Sequence, residues 1–138
     1  MMNRRGRSLV VFMIVIALAA LVLRFAIMQV ITFRIAQNEA DAEESLKLVT
    51  TALENFANDH DHAYPASLEA LAAATPPYIK SEYLGPSYTR GYVFNCLRVE
   101  PSGYTCTVMP VRCGLTGIKT FTVTTGQVVT AESCNIKE

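Results

Sequence analysis

Two sets of residues in this 138-residue sequence are of types that can do chemistry. The first is the run Asn58-Asp59-His60-Asp61-His62, whose imidazoles and carboxylates are ligands for zinc or copper. Both histidines of the chain lie in this one run, so no distant third histidine completes a site. A solvated loop is therefore the simpler interpretation. We expect no metal ion and no cofactor.

The second set is the four cysteines, which all lie in the last third of the chain: Cys96, Cys106, Cys113 and Cys134. An even count fits an oxidising compartment, where cysteines pair as structural disulfides. No two of them form a Cys-x-x-Cys pair, which argues against a zinc ribbon or a thioredoxin-like redox motif.

The motifs of common enzymes are missing from the sequence. It contains neither a Gly-x-Ser-x-Gly nucleophile turn nor a phosphate-binding glycine loop. We therefore expect a protein that is not an enzyme, with no catalytic residues.

An apolar segment near the start of the chain suggests a membrane span. Residues 9–23 include no polar side chain, and residues 25–33 include only Gln29 and Thr32. As a helix, residues 9–33 would measure about 37 Å, against a hydrocarbon core of ~30 Å. Arg24 interrupts the segment, and a charge near the membrane centre costs roughly 2.5 to 3.5 kcal/mol.

The net charge of zero conceals an uneven distribution. Residues 1–34 hold five arginines and no acid, so the remaining residues carry a net charge of −5. Basic residues beside a span stay on the cytoplasmic side, which predicts a cytoplasmic N-terminus and an acidic part outside. We expect no nucleic-acid partner.

One long helix is predicted from Ser8 to about Asn58, because neither proline nor glycine interrupts this stretch. Its second half carries an apolar stripe at helical spacing, formed by Leu46, Val49, Leu53 and Phe56. Its acidic residues, including Glu39 and Glu54, are expected largely on the other faces. A coiled coil is an alternative for the stripe, but the repeat is short, and packing on the chain's own sheet is preferred.

The rest of the chain predicts a small α+β head. The helix should end between Asp59 and His62, since Tyr64 precedes a proline. A short helix is expected over Ser67–Ala74, stopped by Pro76-Pro77. Four strands in an antiparallel sheet follow, with the second pair turning at Thr125-Gly126: Gly91–Arg98, Gly103–Met109, Ile118–Thr124 and Gln127–Ala131.

The first predicted hairpin suggests how the cysteines pair. If Val99 pairs with Gly103, then Cys96 lies opposite Cys106, close enough for a disulfide. Cys113 and Cys134 would then form the second bond. Four cysteines allow three pairings, so the other two remain open.

Taken in order along the chain, these residues resemble the type IV pilins and the type II secretion pseudopilins. The resemblance rests on a basic leader ending in Gly6, the apolar helix, and a series of later motifs. These motifs are Ala52-Leu53-Glu54-Asn55-Phe56, Tyr64-Pro65, Ser67-Leu68, Gly91-Tyr92-Val93-Phe94, Gly103-Tyr104, Thr116-Gly117-Ile118-Lys119-Thr120-Phe121 and Thr125-Gly126-Gln127-Val128.

The resemblance implies a leader at residues 1–6, a membrane and filament-core helix half at residues 7–33, and a periplasmic or extracellular head at residues 34–138. A prepilin peptidase would cut between Gly6 and Arg7. The family has an apolar first residue and a glutamate fifth, whereas this chain has Arg7 and Val11. Val11 and Arg24 are therefore the positions of interest for helix assembly.

The implied role is that of a filament subunit in a bacterial inner membrane. Its partners would be other pilin or pseudopilin subunits, the peptidase and an assembly platform. One alternative is an uncleaved, single-pass membrane-anchored binding module. Another is a secretory signal cut after Ala17-Leu18-Ala19. The tyrosines near and within the sheet could form an adhesive patch, although packing is their ordinary role: Tyr78, Tyr83, Tyr88, Tyr92 and Tyr104.

Overall fold

The structure is a computed structural model that describes residues 4–84, 90–100 and 102–134, with the side chains of residues 4–7 and 97–100 left out of the description. A long helix opens the chain, and a short helix, a 3₁₀ turn and four strands follow it. In order they are α1 (Arg4–Asp59), α2 (Leu68–Ala73), the 3₁₀ turn (Ser81–Leu84), β1 (Tyr92–Glu100), β2 (Gly103–Pro110), β3 (Lys119–Thr124) and β4 (Val128–Ser133).

The chain divides into two compact units, one ending at Arg34 and the other, the head, beginning at Ile35. The four strands of the head form one antiparallel sheet in the order β1-β2-β3-β4. This architecture confirms the predicted α+β fold with a long N-terminal helix and a sheet of four strands.

α1 runs without interruption from Arg4 to Asp59 and ends where the sequence predicts. The amide of His62 donates to the carbonyl of Ala57 at 2.8 Å. Asp61 and His62 adopt positive φ angles of 51° and 63°. This backbone geometry satisfies carbonyls of the last turn and redirects the chain toward Tyr64.

The head's core lies between the second half of α1 and one face of the sheet. Ala42, Leu46, Val49 and Leu53 line the helix side, each at most 4% exposed. Strand β2 alternates buried and less buried residues, because successive side chains of a strand point to opposite faces. The residues that complete the core are Ala52, Ala57, Tyr64, Leu71, Ile79, Tyr92, Tyr104, Cys106, Val108, Phe121 and Val123.

Several strand ends differ by one or two residues from the prediction, most at β1, which ends at Glu100 rather than Arg98, and at β4, which ends at Ser133 rather than Ala131. Gly103 pairs with Glu100 rather than with Val99, because the register shifts between Arg98 and Glu100. A bulge of this kind adds one residue to one strand and leaves the pairing on its other side intact. β3 begins at Lys119 rather than at Ile118, whose amide donates to Glu39 at 3.0 Å.

Candidate functional site

The first half of α1 presents the largest apolar surface of the described chain. Every residue from 8 to 34 is exposed, and the large apolar side chains range from 36% exposed at Ile31 to 67% at Leu21. Among the described residues, only the helix at Ser8–Asp59 is long and apolar enough to cross a membrane. This segment can be covered either by lipid or by other helices.

The predicted assembly residues lie in this segment. Val11 is 59% exposed, and Arg24 is exposed with apolar neighbours along the chain. Gly6 and Arg7 lie within α1, but their surroundings are outside the described side chains. The cleavage between them and the division into leader, membrane half and head remain predictions.

A first group of polar contacts holds the start of the head together. Asn38 Nδ2 donates to the carbonyl of Thr116 at 2.9 Å. The Glu39 carboxylate accepts from the amide of Ile118 at 3.0 Å and lies 3.6 Å from Lys119 Nζ. The hydroxyl of Tyr92 donates to the carbonyl of Lys119 at 3.0 Å. The bonds of Asn38 and Glu39 attach α1 to the β2–β3 connection and the start of β3, and the Tyr92 bond attaches β1 to the start of β3.

Glu39 also affects the pKa of Tyr92. Burial raises the pKa of Tyr92 to about 12, and the negative charge of Glu39 adds to this effect. The phenol therefore stays neutral and keeps its role as a donor at all ordinary pH values.

A second group of contacts centres on Glu54, near the other end of the helix face. Its Oε1 accepts from the Tyr104 hydroxyl at 2.9 Å and from the amide of Gly126 at 3.1 Å. Its Oε2 accepts from the Tyr64 hydroxyl at 3.0 Å. One carboxylate thus joins α1 to β2, to the turn between β3 and β4, and to the segment that follows the helix.

The two tyrosines of this second group are held in their neutral form. Burial, and then the hydrogen bond to Glu54, raises the pKa of both Tyr64 and Tyr104 above the usual value. Their rings also meet edge to face at a centroid distance of 5.0 Å. The arrangement is suited to stiffening the head, since each polar group is matched by a partner.

The four cysteines form two disulfides, Cys96–Cys106 and Cys113–Cys134. These are the pairs expected from the register of the predicted hairpin, and in the structure Cys96 does lie opposite Cys106. The first bond joins β1 to β2 on the core side, where Cys106 is fully buried. The second bond ties the β2–β3 connection to the residue that follows β4.

Residues of the histidine–aspartate run make packing contacts and hydrogen bonds at the end of α1. His60 stacks on Phe56 with ring centroids 3.9 Å apart, and its Nδ1 lies 2.8 Å from the carbonyl of Phe56. Asp59 accepts a hydrogen bond from the Tyr78 hydroxyl at 2.7 Å. No group of three potential metal ligands occurs among the residues that the structure describes.

The tyrosines mainly pack within the head. Tyr92 and Tyr104 are 3% and 4% exposed, and Tyr78 and Tyr83 are half-buried. Tyr88 lies outside the described residues. A half-open depression of about 30 Å³ lies beside Leu68, Cys96 and Tyr104.

The sequence interpretation placed Glu39 and Glu54 on outer faces of the helix, and the structure corrects this. The Glu39 side chain is 13% exposed, and Glu54 is half-buried. A signal was present in the spacing, because Glu39 lies three residues before Ala42 and thus extends the buried stripe by one step. Glu54 is likewise four residues after the buried Thr50 and three before Ala57.

These observations define the class of protein: a helix able to span a membrane, continuous with a disulfide-bonded α+β head. Comparisons with protein-family models, with curated proteins and with solved structures found no match. The resemblance to pilins therefore depends on the residues of the chain itself.

Proposed function

We propose that this protein is a structural subunit of a type IV pilus-like or type II secretion pseudopilus filament. The observation that carries the proposal is the contrast along α1. Residues 8–34 are exposed and almost wholly apolar, whereas the following helix half buries one face against a small sheet. A helix of this kind can be stored in a bilayer and later packed against the same helix of other subunits.

The exchange of lipid for neighbouring helices is nearly neutral for apolar side chains, because lipid tails are as apolar as leucine. Packing and polar contacts must therefore decide assembly. Arg24 is the charged residue within residues 9–33, and its cost in a membrane is roughly 2.5 to 3.5 kcal/mol. A partner for its guanidinium in a helix bundle would favour the assembled state. Val11 leaves the position of the family's glutamate apolar, so Arg24 becomes the main polar determinant of docking.

The proposed location follows from charge and cysteines. Three arginines precede the apolar segment, at positions 4, 5 and 7, which favours a cytoplasmic N-terminus. The two disulfides suit an oxidising compartment, so the head is assigned to the periplasm or the cell surface. A rigid head with matched polar groups suits a filament surface, and we assign it no enzymatic role.

The test is mass spectrometry of the mature N-terminus after expression in a bacterium that has a prepilin peptidase. The proposal expects a chain that starts at Arg7 in wild type and an uncut chain in Gly6→Val. Ser8→Ala is the matched control and should be cut normally. A wild-type chain that starts at Ala20 would instead show secretion, and an intact wild-type leader would show a permanent anchor. Either result contradicts the proposal.

Assembly is measured as the amount of this protein in high-mass material that is sheared from the cell surface. Wild type should appear there as high-mass material, and Arg24→Leu should reduce that material while the protein remains in the membrane. Leu23→Ala, at the neighbouring position, is the control for a change without loss of charge. Equal recovery of all three proteins would remove Arg24 from the docking mechanism.

A further inference from the structure

The connection between β2 and β3, residues 111–118, has an unusual composition for a surface loop. Three of its eight residues are large apolar side chains that remain exposed: Val111 at 60%, Leu115 at 56% and Ile118 at 47%. Single exposed apolar residues are ordinary, but three within one eight-residue segment single it out as a candidate contact surface. We call this segment the basal loop.

The backbone of the basal loop forms a hydrogen-bonded turn that is closed by a disulfide. The amides of Leu115 and Thr116 donate to the carbonyl of Arg112 at 3.1 and 2.9 Å. Gly114 donates to the carbonyl of Gly117 at 2.8 Å, and the Cys113–Cys134 disulfide anchors the whole turn. The apolar side chains are therefore held outward by the backbone, and they are exposed although the loop is folded on itself.

The loop lies at the end of the head where the chain enters from its apolar segment. It is hydrogen-bonded to Asn38 and Glu39 through Thr116 and Ile118. Phe33, the last residue of the apolar segment, precedes Asn38 by five residues. Even a fully extended chain of that length spans only about 18 Å. If residues 9–33 lie in a bilayer, chain length alone keeps the basal loop near the bilayer surface.

Basic residues accompany the apolar ones. Arg112 lies within the loop and is exposed, whereas Lys119, which follows the loop, lies 3.6 Å from the Glu39 carboxylate and is largely neutralised by it. Arg90 is also exposed and precedes Gly91, whose carbonyl accepts from the amide of Val111 at 2.9 Å. The residues after Arg34 have a net charge of −5, so a basic group at this end departs from the average of the head. Exposed apolar side chains with basic neighbours match an anionic membrane surface.

A second copy of the chain is a poorer occupant. Two copies meeting through this loop would bring Arg90 and Arg112 of one copy toward those of the other, if the contact were symmetric. Lipid phosphates supply the opposite charge, with about 1 kcal/mol of attraction for each basic residue near the surface. The bilayer that holds the helix is also always within reach.

We propose that the basal loop rests on the bilayer surface, with Val111, Leu115 and Ile118 among the headgroups and the basic residues on anionic phosphates. The head is thereby fixed on the membrane before any assembly, and it must detach to enter a filament. This inference depends on the membrane anchor and not on the filament role.

The chain contains no tryptophan, so single tryptophans can report the depth of chosen positions in the full-length protein. Leu115→Trp is the test variant. Val128→Trp is the matched control, because Val128 is similarly exposed at 59% and lies beyond the far end of β3, about 17 Å along the strand. Phe25→Trp reports the anchor. Each is reconstituted into vesicles of phosphatidylcholine and phosphatidylglycerol, with and without brominated acyl chains.

Bromolipid should quench the tryptophan at position 115 by roughly twofold or more, as for a side chain about 5 to 10 Å into the interface. The emission of the tryptophan at position 115 should also shift to the blue. The tryptophan at position 128 should be neither quenched nor shifted. Arg90→Gln combined with Arg112→Gln should weaken the quenching at 115 in anionic vesicles. In vesicles of phosphatidylcholine alone, the same double change should have little effect.

Three results would overturn the inference. Water-like emission at position 115, with position 25 quenched, would show an anchored protein whose loop is away from the surface. A blue shift at 115 that disappears as protein is diluted with lipid would instead show contact between copies. An unquenched tryptophan at position 25 would remove the anchor on which the inference depends. Mass spectrometry of the N-terminus tests the filament role separately.

Discussion

The two halves of α1 are parts of one helix, but they keep apolar side chains from water in different ways. From residue 8 to residue 34 the apolar residues occupy all sides, and all are exposed. From Ile35 onward they occupy one side, where Ala42, Leu46, Val49 and Leu53 are buried in the head. The first half therefore requires a cover from outside the chain, whereas the second half is covered by the chain's own sheet.

This difference shows which half decides the stability of the head. A residue contributes to folding when it is transferred from water into a packed interior, at about 25 cal/mol per Å² of apolar surface. Side chains of residues 8–34 are exposed in the folded protein, so they are not transferred into its packed interior. Their apolar character serves insertion and association, and substitutions there should leave the stability of the head unchanged.

The largest expected effect tests this separation directly. Leu46→Ala should lower the free energy of unfolding of the head by about 2 to 5 kcal/mol, because it leaves a cavity in a packed core. Leu18→Ala, the same change at a side chain 59% exposed, should alter it by less than about 0.5 kcal/mol. Both are measured on the full-length protein in detergent by denaturant unfolding followed by near-UV circular dichroism. Equal losses would mean that the two halves fold as one unit.

The next prediction concerns the polar contacts that fix the second half in place. Glu54→Ala removes the acceptor for Tyr64, Tyr104 and Gly126 and leaves the hydroxyls of two buried tyrosines without this partner. We expect a loss of about 2 to 3 kcal/mol in the free energy of unfolding. Glu44→Ala is the control on the exposed side of the same helix, with an expected change within about 0.5 kcal/mol. A similar loss in both variants would assign the effect to the helix and not to the contacts.

The same contacts predict a pH dependence at the alkaline end. The pKa of Tyr104 is raised above its usual value of 10.0 by burial and by Glu54, so the folded head retains this proton longer than the unfolded chain does. The stability from this group is complete below pH 10 and falls as the pH rises above it. Glu54→Gln should lower the pKa of Tyr104, which is read from the absorbance of tyrosinate. An unchanged titration would leave burial as the whole cause.

The fold was largely predictable because it follows from periodicity. The uninterrupted helix, the stripe of Leu46, Val49 and Leu53, and the spacing of turn residues each depend on local sequence. The roles of Glu39 and Glu54 were missed because an acidic residue on a helix is usually solvated. Their partners are distant in sequence, at Ile118 for Glu39 and at Tyr104 for Glu54. Contacts over such separations are set by tertiary packing, which periodicity does not specify.

The basal loop was missed for a related reason. Val111, Leu115 and Ile118 are spaced four and three residues apart, as apolar residues on a buried helix face are, so only their exposure in the folded head distinguishes them from core residues. The bulge at Val99 was also not predictable, because a single inserted residue in a strand leaves the alternation on its other side unchanged.

A smaller effect is expected where volume is added instead of removed. A side chain at Gly117 would run into the hydroxyl of Tyr92, which donates to the carbonyl of Lys119. Gly117→Ala should therefore cost about 1 to 3 kcal/mol of head stability by displacing that ring. Ala26→Leu adds more volume in the exposed first half and should change stability by less than about 0.5 kcal/mol. A large loss from Ala26→Leu would show that the first half is packed against the head.

Gly126→Ala separates crowding from backbone strain within the head. A side chain at Gly126 would meet nothing within 4 Å, but its φ is +82°, in the left-handed region that glycine tolerates best. The expected cost is about 1 kcal/mol, without a change in the pKa of Tyr92. Gly117→Ala should lower that pKa, because the displaced phenol becomes more hydrated. If both variants shifted the Tyr92 titration equally, a general loosening of the sheet would explain their losses better than a local collision at Gly117.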